Sequence, residues 1–341
     1  MKTILTCTLL AALSFWVLPG RTMARETREE DLVLLVEQAP SGMEQTMAAP
    51  AEAKVYTPAA EQAEHETNIR LLCDGEVLEL PLETYITGVL ICEMPASFSP
   101  EAKKAQTVAA RTFAVRRLEK PKHENADVCA DAACCQAWTS GQDLQARFGA
   151  DFDAVWQAAA QAVEETRGEI LIYDEEPIDA LFFSCSGGRT EPALAVWGSD
   201  VPYLQAVDSP GEQDAPRFSS SADFTPEEFA ALLQKENPGI TLGPAPEAWL
   251  GETTRSAGGG VAEMRIGGQS FTGVQLRRIF GLNSTNFTLS YQDGQFHFDV
   301  LGFGHRVGLS QYGAENMAQQ GFDYRVILQY YYRGALLEQM Q

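Results

Sequence analysis

Apolar positions between Leu80 and Arg111 recur at helical spacing in two blocks. In the first, Leu82, Ile86, Val89 and Leu90 form one stripe, and Glu93 continues it. The pattern predicts a helix over Leu82–Glu93, stopped by Pro95, that turns the Glu93 carboxyl inward instead of toward water. After a Met-Pro elbow comes a second helix, Glu101 to Leu118, with Ser99 as N-cap and Pro100 at the first helical position. It is rich in Ala and Lys, so its outer face is solvated and its Ala face allows close packing. Ahead of the pair, NIRLLCDGEVLELPL reads as a β-hairpin turning at Asp74-Gly75.

Further along, GADFDAVWQAAAQAVEETRG predicts a third helix closing on Gly168. EILIYDEEPIDALFFSC gives two apolar strands around an acidic turn, then a Ser-Cys-Ser-Gly-Gly loop. Residues 211–299 hold two short helices, in FTPEEFAALLQKEN and QLRRIFGL, and two hairpins, in GGVAEMRIGGQSFTG and FTLSYQDGQFHFDVLG. A Gly-rich His loop, a helix and a Tyr-rich amphipathic segment end the chain. The fold class is α+β: helices mixed with mostly antiparallel strands in one compact body over 68–335. Within it, 211–299 is expected to form a second, smaller lobe, with a cleft between the two.

The first residues change the picture of compartment. Lys2 precedes an apolar run from Ile4 to Leu18, with Arg21, Arg25 and Arg28 behind it. Residues 1–25 read as a signal peptide or an N-terminal membrane anchor. Residues 26–67, rich in Glu, Ala, Gln and Pro, read as a disordered linker. The rest is expected outside the cytoplasm, secreted or held by the single anchor at the extracytoplasmic face of the membrane. The net charge of -22, from 47 acidic and 25 basic residues, argues against a nucleic-acid partner and against general attraction to anionic lipid. An anionic substrate would need local Arg or Lys.

Four stretches carry candidate chemistry. A carboxyl held against apolar walls, as expected for Glu93, keeps its proton near neutral pH, which a general acid requires. It also fits an ordinary helix end bordering the core. His123, Cys129 and Cys135, with Cys134 alongside, are borderline-soft ligands suited to zinc. A disulfide among the three cysteines fits equally well. In an extended segment Cys134 and Cys135 would point apart, so that one ligates and the other does not. In SCSGGRTE, a Gly-Gly turn after an apolar strand lets a ligand approach the backbone, with donors nearby. Ser184, Ser186, Gly187 and Arg189 are its substrate-binding candidates. In GHRVGLSQYGA, a His loop faces a helix entry, an arrangement suited to an anion or a sugar. His305, Ser310, Gln311 and Tyr312 are the candidates there.

Together and in this order, LPLETYITGVLICEMP, SPEAKKAQTVAART, the His-Cys set ending in CQAW, SCSGGRTE, VWG, YL and GHRVGLSQYGAENMAQQG resemble the SpoIID/LytB family. The resemblance covers roughly 68–335. It implies a peptidoglycan lytic transglycosylase, which cleaves the MurNAc-GlcNAc bond without water and leaves 1,6-anhydro-MurNAc ends. It further implies denuded strands as substrate during sporulation engulfment, with a cell-wall amidase and a scaffold protein at the membrane as partners. It makes Glu93 the catalytic acid and base, and Arg111 a catalytic arginine that orients Glu93 or, like Arg189, the substrate's lactyl carboxylate. His123, Cys129, Cys135 and the adjacent Cys134 become a structural zinc set not required for the chemistry. Arg306 stands where the family usually has Gly, Leu309 where it has Met, and Cys185 where Thr or a small residue is usual. Two other functions fit the sequence: a non-catalytic cell-wall-binding or amidase-activating module of the same family, and a secreted zinc hydrolase.

Overall fold

The computed structural model describes residues 67–340, so the expected signal or anchor and all but the last residue of the linker lie outside the described residues. β1 (Asn68–Cys73) and β2 (Glu76–Pro81) form the expected antiparallel hairpin. Its turn residues Asp74 and Gly75 both sit at positive φ, 49° and 83°. Asp-Gly tolerates that conformation, which a two-residue hairpin requires. α1 (Leu82–Glu93) follows directly, then α2 (Pro100–Glu119). β3 (Val128–Cys129) joins β1 in parallel.

α2 is the axis of this half. Ala102, Ala105, Val108, Ala109, Phe113 and Ala114 are buried along it, and the small side chains let α1 and later elements pack closely. α1 turns Leu82, Tyr85, Ile86, Val89 and Leu90 inward. Gly88 on α1 is the crossing point for Trp138, because a Cβ there would lie 2.4 Å from the indole Nε1. That close approach lays the segment 135–138 along the helix.

The expected helix over 149–168 is shorter than the pattern suggested. α3 (Gly141–Phe148) precedes it, capped by the Ser140 side chain. Gly149, at φ 53°, breaks the run into a 3-10 turn before α4 (Phe152–Glu165). β4 (Glu169–Tyr173) turns at Asp174–Glu175 into a β5 of two residues (Glu176–Pro177). The second apolar strand expected there goes elsewhere: β6 (Phe182–Phe183) pairs in parallel with β15 (Leu309–Ser310). Between them come β7 (Gly188–Arg189), α5 (Ala193–Trp197) and β8 (Asp208–Ser209), with β7 and β8 paired.

The middle of the chain builds two antiparallel sheets. One joins β9 (Ser219–Phe224) with the hairpin β13 (Asn286–Gln292) and β14 (Gln295–Leu301); the other is β10 (Leu250–Arg255), β11 (Val261–Ile266) and β12 (Gln269–Thr272). α6 (Pro226–Glu236) and α7 (Gly273–Phe280) each start on a capping box, Thr225 with Glu228 and Thr272 with Gln275. These elements enclose a hydrophobic cluster of their own, in which Phe229 stacks on Phe296 at 4.0 Å. The chain then returns through β15 to α8 (Gln311–Gln319), α9 (Tyr324–Tyr331) and β16 (Leu336–Gln339), which pairs with β4. The fold is α+β. Strand pairing among the described residues is antiparallel except at β1–β3 and β6–β15.

Candidate active site

Glu93 ends α1, where the Met94 N–H closes on the Leu90 carbonyl before Pro95 breaks the helix. Its Oε1 accepts the Ala137 N–H at 2.6 Å. That donor is in reach because Trp138 packs over Gly88 and holds the segment down. A second bond comes from the Gln311 side chain, at the start of α8. Burial pushes the Glu93 carboxyl up to about 7, against the opposing pull of these two hydrogen bonds. The residue is part-exposed while its carboxyl is desolvated. Such a group can give up or accept a proton near neutral pH.

Gln311 is in place because Ser310 caps α8, its hydroxyl accepting the Gly313 N–H, and because β15 is fastened to β6. The Gln311 Nε2 also meets Gln106 Oε1 of α2 at 3.4 Å. Gln311, expected to touch sugar, therefore supports the acid. Neighbouring Tyr312 lies edge-on to Phe98, ring centroids 5.0 Å apart. Its half-buried hydroxyl has no partner among the described residues, so it keeps a free polar group beside Glu93's support.

Arg111 does not orient Glu93. It is fully buried and grips Glu83 in the first turn of α1, through Nε to Oε1 at 2.9 Å and Nη2 to Oε2 at 2.7 Å. Its other donors reach Thr166 Oγ1 and the Val163 and Glu169 carbonyls. Glu83 and Glu93 are ten residues apart on one helix, about 15 Å. Arg111 fixes the far end of the helix that carries the acid.

The other two motifs meet on a carboxylate that the sequence reading missed. Glu212 is 1% exposed and accepts from the Ser186 N–H and hydroxyl, the Gly187 N–H, and the Ser209 and Ser310 hydroxyls. Ser186, Gly187 and Ser310 are thus consumed internally, contrary to expectation. Ser184 gives its carbonyl to the Tyr312 N–H and its hydroxyl to the Cys185 thiol. Arg189 is held by Asp208 and the Ala257 carbonyl. His305 also offers no free donor. Its Nδ1 accepts the Val307 N–H at 3.1 Å, and it bonds the Phe182 backbone. Burial, helped by the charge of Arg277, lowers its imidazole to about 4 and keeps it neutral. What His305 presents is a ring, 5.6 Å from Phe183 and 5.5 Å from Trp197.

Arg306 stands at φ 67°, the left-handed region in which Gly is at ease. Its guanidinium is fully buried, bonding Glu191 Oε1 and the carbonyls of Ser186, Arg189 and Gly258. It adds no open charge to the loop; it ties the SGG loop to residues 256–260, which Glu191 also holds through Ser256 and the Gly260 N–H. Neither Glu191 nor Glu212 falls on an apolar period, and nothing in the local pattern marks them.

The ligand atoms of His123, Cys129, Cys134 and Cys135 all lie within 4.8 Å of one another. His123 Nε2 is 3.5 Å from Cys135 Sγ and 3.8 Å from Cys134 Sγ, and the two sulfurs are 4.0 Å apart. A tetrahedral zinc–sulfur site sets neighbouring ligand atoms about 3.8 Å apart, so this set has the right size. Cys134 and Cys135 both converge on it because residues 131–135 form a turn on the Asp131 carbonyl, where an extended segment was expected. Among the described residues no disulfide joins Cys129, Cys134 and Cys135. Gln136 and Ala137 follow at once, so the cluster anchors the segment that holds Glu93.

The sequence is similar to a known class of sporulation proteins. Residues 75–173 match the SpoIID family, described as stage II sporulation protein. The stage II sporulation protein D of Bacillus subtilis (strain 168) is 35% identical over 91% of this chain and 85% of its own length. That of Bacillus amyloliquefaciens is 36% identical over 83% of this chain and 81% of its own. The chain belongs to the SpoIID family. The amidase enhancer of Bacillus subtilis (strain 168) is more distant, 28% identical over 74% of this chain and 40% of its own length.

Proposed function

We propose that this protein is a lytic transglycosylase that cuts peptidoglycan glycan strands outside the cytoplasm during sporulation. The observation that carries the reading is Glu93, a part-exposed residue whose carboxyl is raised to about 7 and held by the Ala137 N–H and Gln311. Hydrolysis at a sugar ring needs two carboxylates at set separations. Glu191 and Glu212, the carboxylates behind the SGG and His loops, are buried and engaged by hydrogen bonds, which supports Glu93 acting as a lone acid-base group. One group suffices if the nucleophile is tethered to the substrate. Glu93 protonates the glycosidic oxygen; the muramyl 6-hydroxyl then attacks the anomeric carbon and returns its proton to Glu93, giving the 1,6-anhydro end. Zinc, if bound by His123, Cys129, Cys134 and Cys135, would supply rigidity to residues 135–138, since the set offers four protein ligands and no open position.

The test is cleavage of peptide-stripped strands in heavy-oxygen water. The expected products are anhydro-muramyl ends without the label; labelled reducing ends would mean a hydrolase. The similarity to the amidase enhancer supports a second reading, a module that activates an amidase. In that case the protein alone releases no product but accelerates an added cell-wall amidase. Either partner, the amidase or a membrane scaffold, belongs to this proposal.

A further inference from the structure

Gln136 stands between the thiol set and Ala137 and is 1% exposed. A buried amide has to satisfy both of its ends. Here the two ends go to two different helices. Oε1 accepts the Tyr85 hydroxyl of α1 at 3.0 Å, and Nε2 donates to the Ala110 carbonyl of α2 at 3.4 Å. The second bond fixes which end is which, because a carbonyl only accepts. Burial holds the Tyr85 hydroxyl well above its ordinary value, so it keeps the proton that it donates. The side chain is therefore a brace across α1 and α2, made with partners 51 and 26 residues earlier in the chain.

The brace sits next to the backbone donor that holds the acid. The Gln136 carbonyl and the Ala137 N–H belong to one planar peptide. That N–H lies 2.6 Å from Glu93 Oε1. Tyr85 precedes Glu93 by two turns of α1, about 12 Å. On the other side of the peptide, Trp138 packs over Gly88 of the same helix. With the residues on both sides fastened to α1, the peptide has little freedom to turn its N–H away from Glu93.

Neighbouring charges do not perform this task. Hydrogen bonds alone oppose burial at the Glu93 carboxyl. Cys92 of α1 is pushed up to about 12, and Cys135 and Tyr312 are raised, each chiefly by burial, so all three stay neutral. On α2, Lys103 is spent on the Ala96 carbonyl and Arg111 on Glu83. Arg147 of α3 draws on the Cys92 thiol, and Glu315 of α8 takes the N–H and hydroxyl of Ser99. A desolvated carboxyl without a donor would hold its proton far above neutrality; the Ala137 N–H brings it back.

We infer that Gln136 is a positioning residue for Glu93: braced between Tyr85 and Ala110, it holds the Gln136–Ala137 peptide so that the Ala137 N–H stays on the Glu93 carboxyl. It acts through Ala137 and touches no substrate. The use of Glu93 as acid and base rests on the glycan-strand reading above; the brace does not.

Carbon-13 NMR titration of the full chain with labelled glutamate carboxyls tests the assignment, the Glu93 signal being the one missing from Glu93→Gln. Gln136→Leu should raise the Glu93 midpoint by about one pH unit, the scale of one lost hydrogen bond to a charged group. Tyr85→Phe, which leaves residues 135–138 unchanged, should raise it by less. In Gln136→Leu the Ala137 amide should exchange with solvent at least about tenfold faster. The Leu171 amide, held on Thr112 Oγ1 at 2.9 Å in the core, should exchange as in the parent. An unmoved midpoint overturns the assignment. So does a rise with equal acceleration at Leu171, the mark of general loosening. If Gln136→Leu does not fold, Tyr85→Phe decides by the same two criteria. Cleavage of glycan strands is scored separately: a raised midpoint in a protein that cuts no strand leaves the brace standing and removes the glycan reading, and cleavage with an unmoved midpoint does the reverse.

Discussion

At the scale of single residues, the inward face of Glu93 was legible, because it continues the stripe Leu82, Ile86, Val89 and Leu90. Its supports were not, since Ala137 and Gln311 lie 44 and 218 residues further along and no local period joins them to it. They give a signed pH dependence. With a carboxyl raised to about 7 acting as the acid, kcat/KM should fall as pH rises through that value. Gln311 stabilises the ionised form, so Gln311→Leu should move the alkaline limb to higher pH. The same shift bears on stability. Between 4.5 and about 7 the folded state holds a proton that the unfolded state has released, so this group's contribution declines as pH rises through that window. Glu93→Gln should therefore melt higher than the parent at pH 8, with the gap closing toward pH 4.5.

At the scale of elements, turn and cap chemistry carried the reading furthest. Asp74-Gly75 and Ser99-Pro100 both mark real boundaries. What failed was what spacing cannot encode. β6 is two residues long and pairs with a strand 127 residues away, and the helix expected from Gly149 begins only at Phe152, after a 3-10 turn. The Arg111 assignment failed for a related reason. α1 carries a carboxylate at each end, and only the packed structure shows that the guanidinium takes Glu83. Glu83→Gln and Arg111→Met should each destabilise the fold by about 3–5 kcal/mol in chemical denaturation, by leaving a buried partner unanswered. The double variant should lose less than the two losses added together. In all three, any surviving activity should keep the alkaline limb of the parent; a shifted limb would restore Arg111 as Glu93's partner.

At the scale of the whole molecule, the α+β class was legible from alternating periods, and the family from motifs spread over the chain. The internal economy of charge was not. An acidic chain uses buried carboxylates as ties: Glu83 to α2, Glu191 to the Arg306 loop, and Glu212 across the loops that meet at α8. Three of the eight residues nominated as sugar donors, Ser186, Gly187 and Ser310, turn out to serve the Glu212 tie. The metal cluster belongs to the same scale, since it would brace residues 135–138 against α1. The purified protein should carry about one zinc per chain. Chelation should lower its melting temperature and slow cleavage without changing the products, the outcome expected if a metal on this cluster only positions Ala137. Labelled, hydrolytic products from the metal-loaded protein, lost on chelation, would point instead to a zinc hydrolase.

The most direct measurement is the rate of anhydro-muramyl release from peptide-stripped strands, followed by mass spectrometry for the parent and for Glu93→Gln. The account expects release by the parent and a loss of at least about a hundredfold in the variant, at an unchanged or higher melting temperature. Equal release by the two proteins would contradict it.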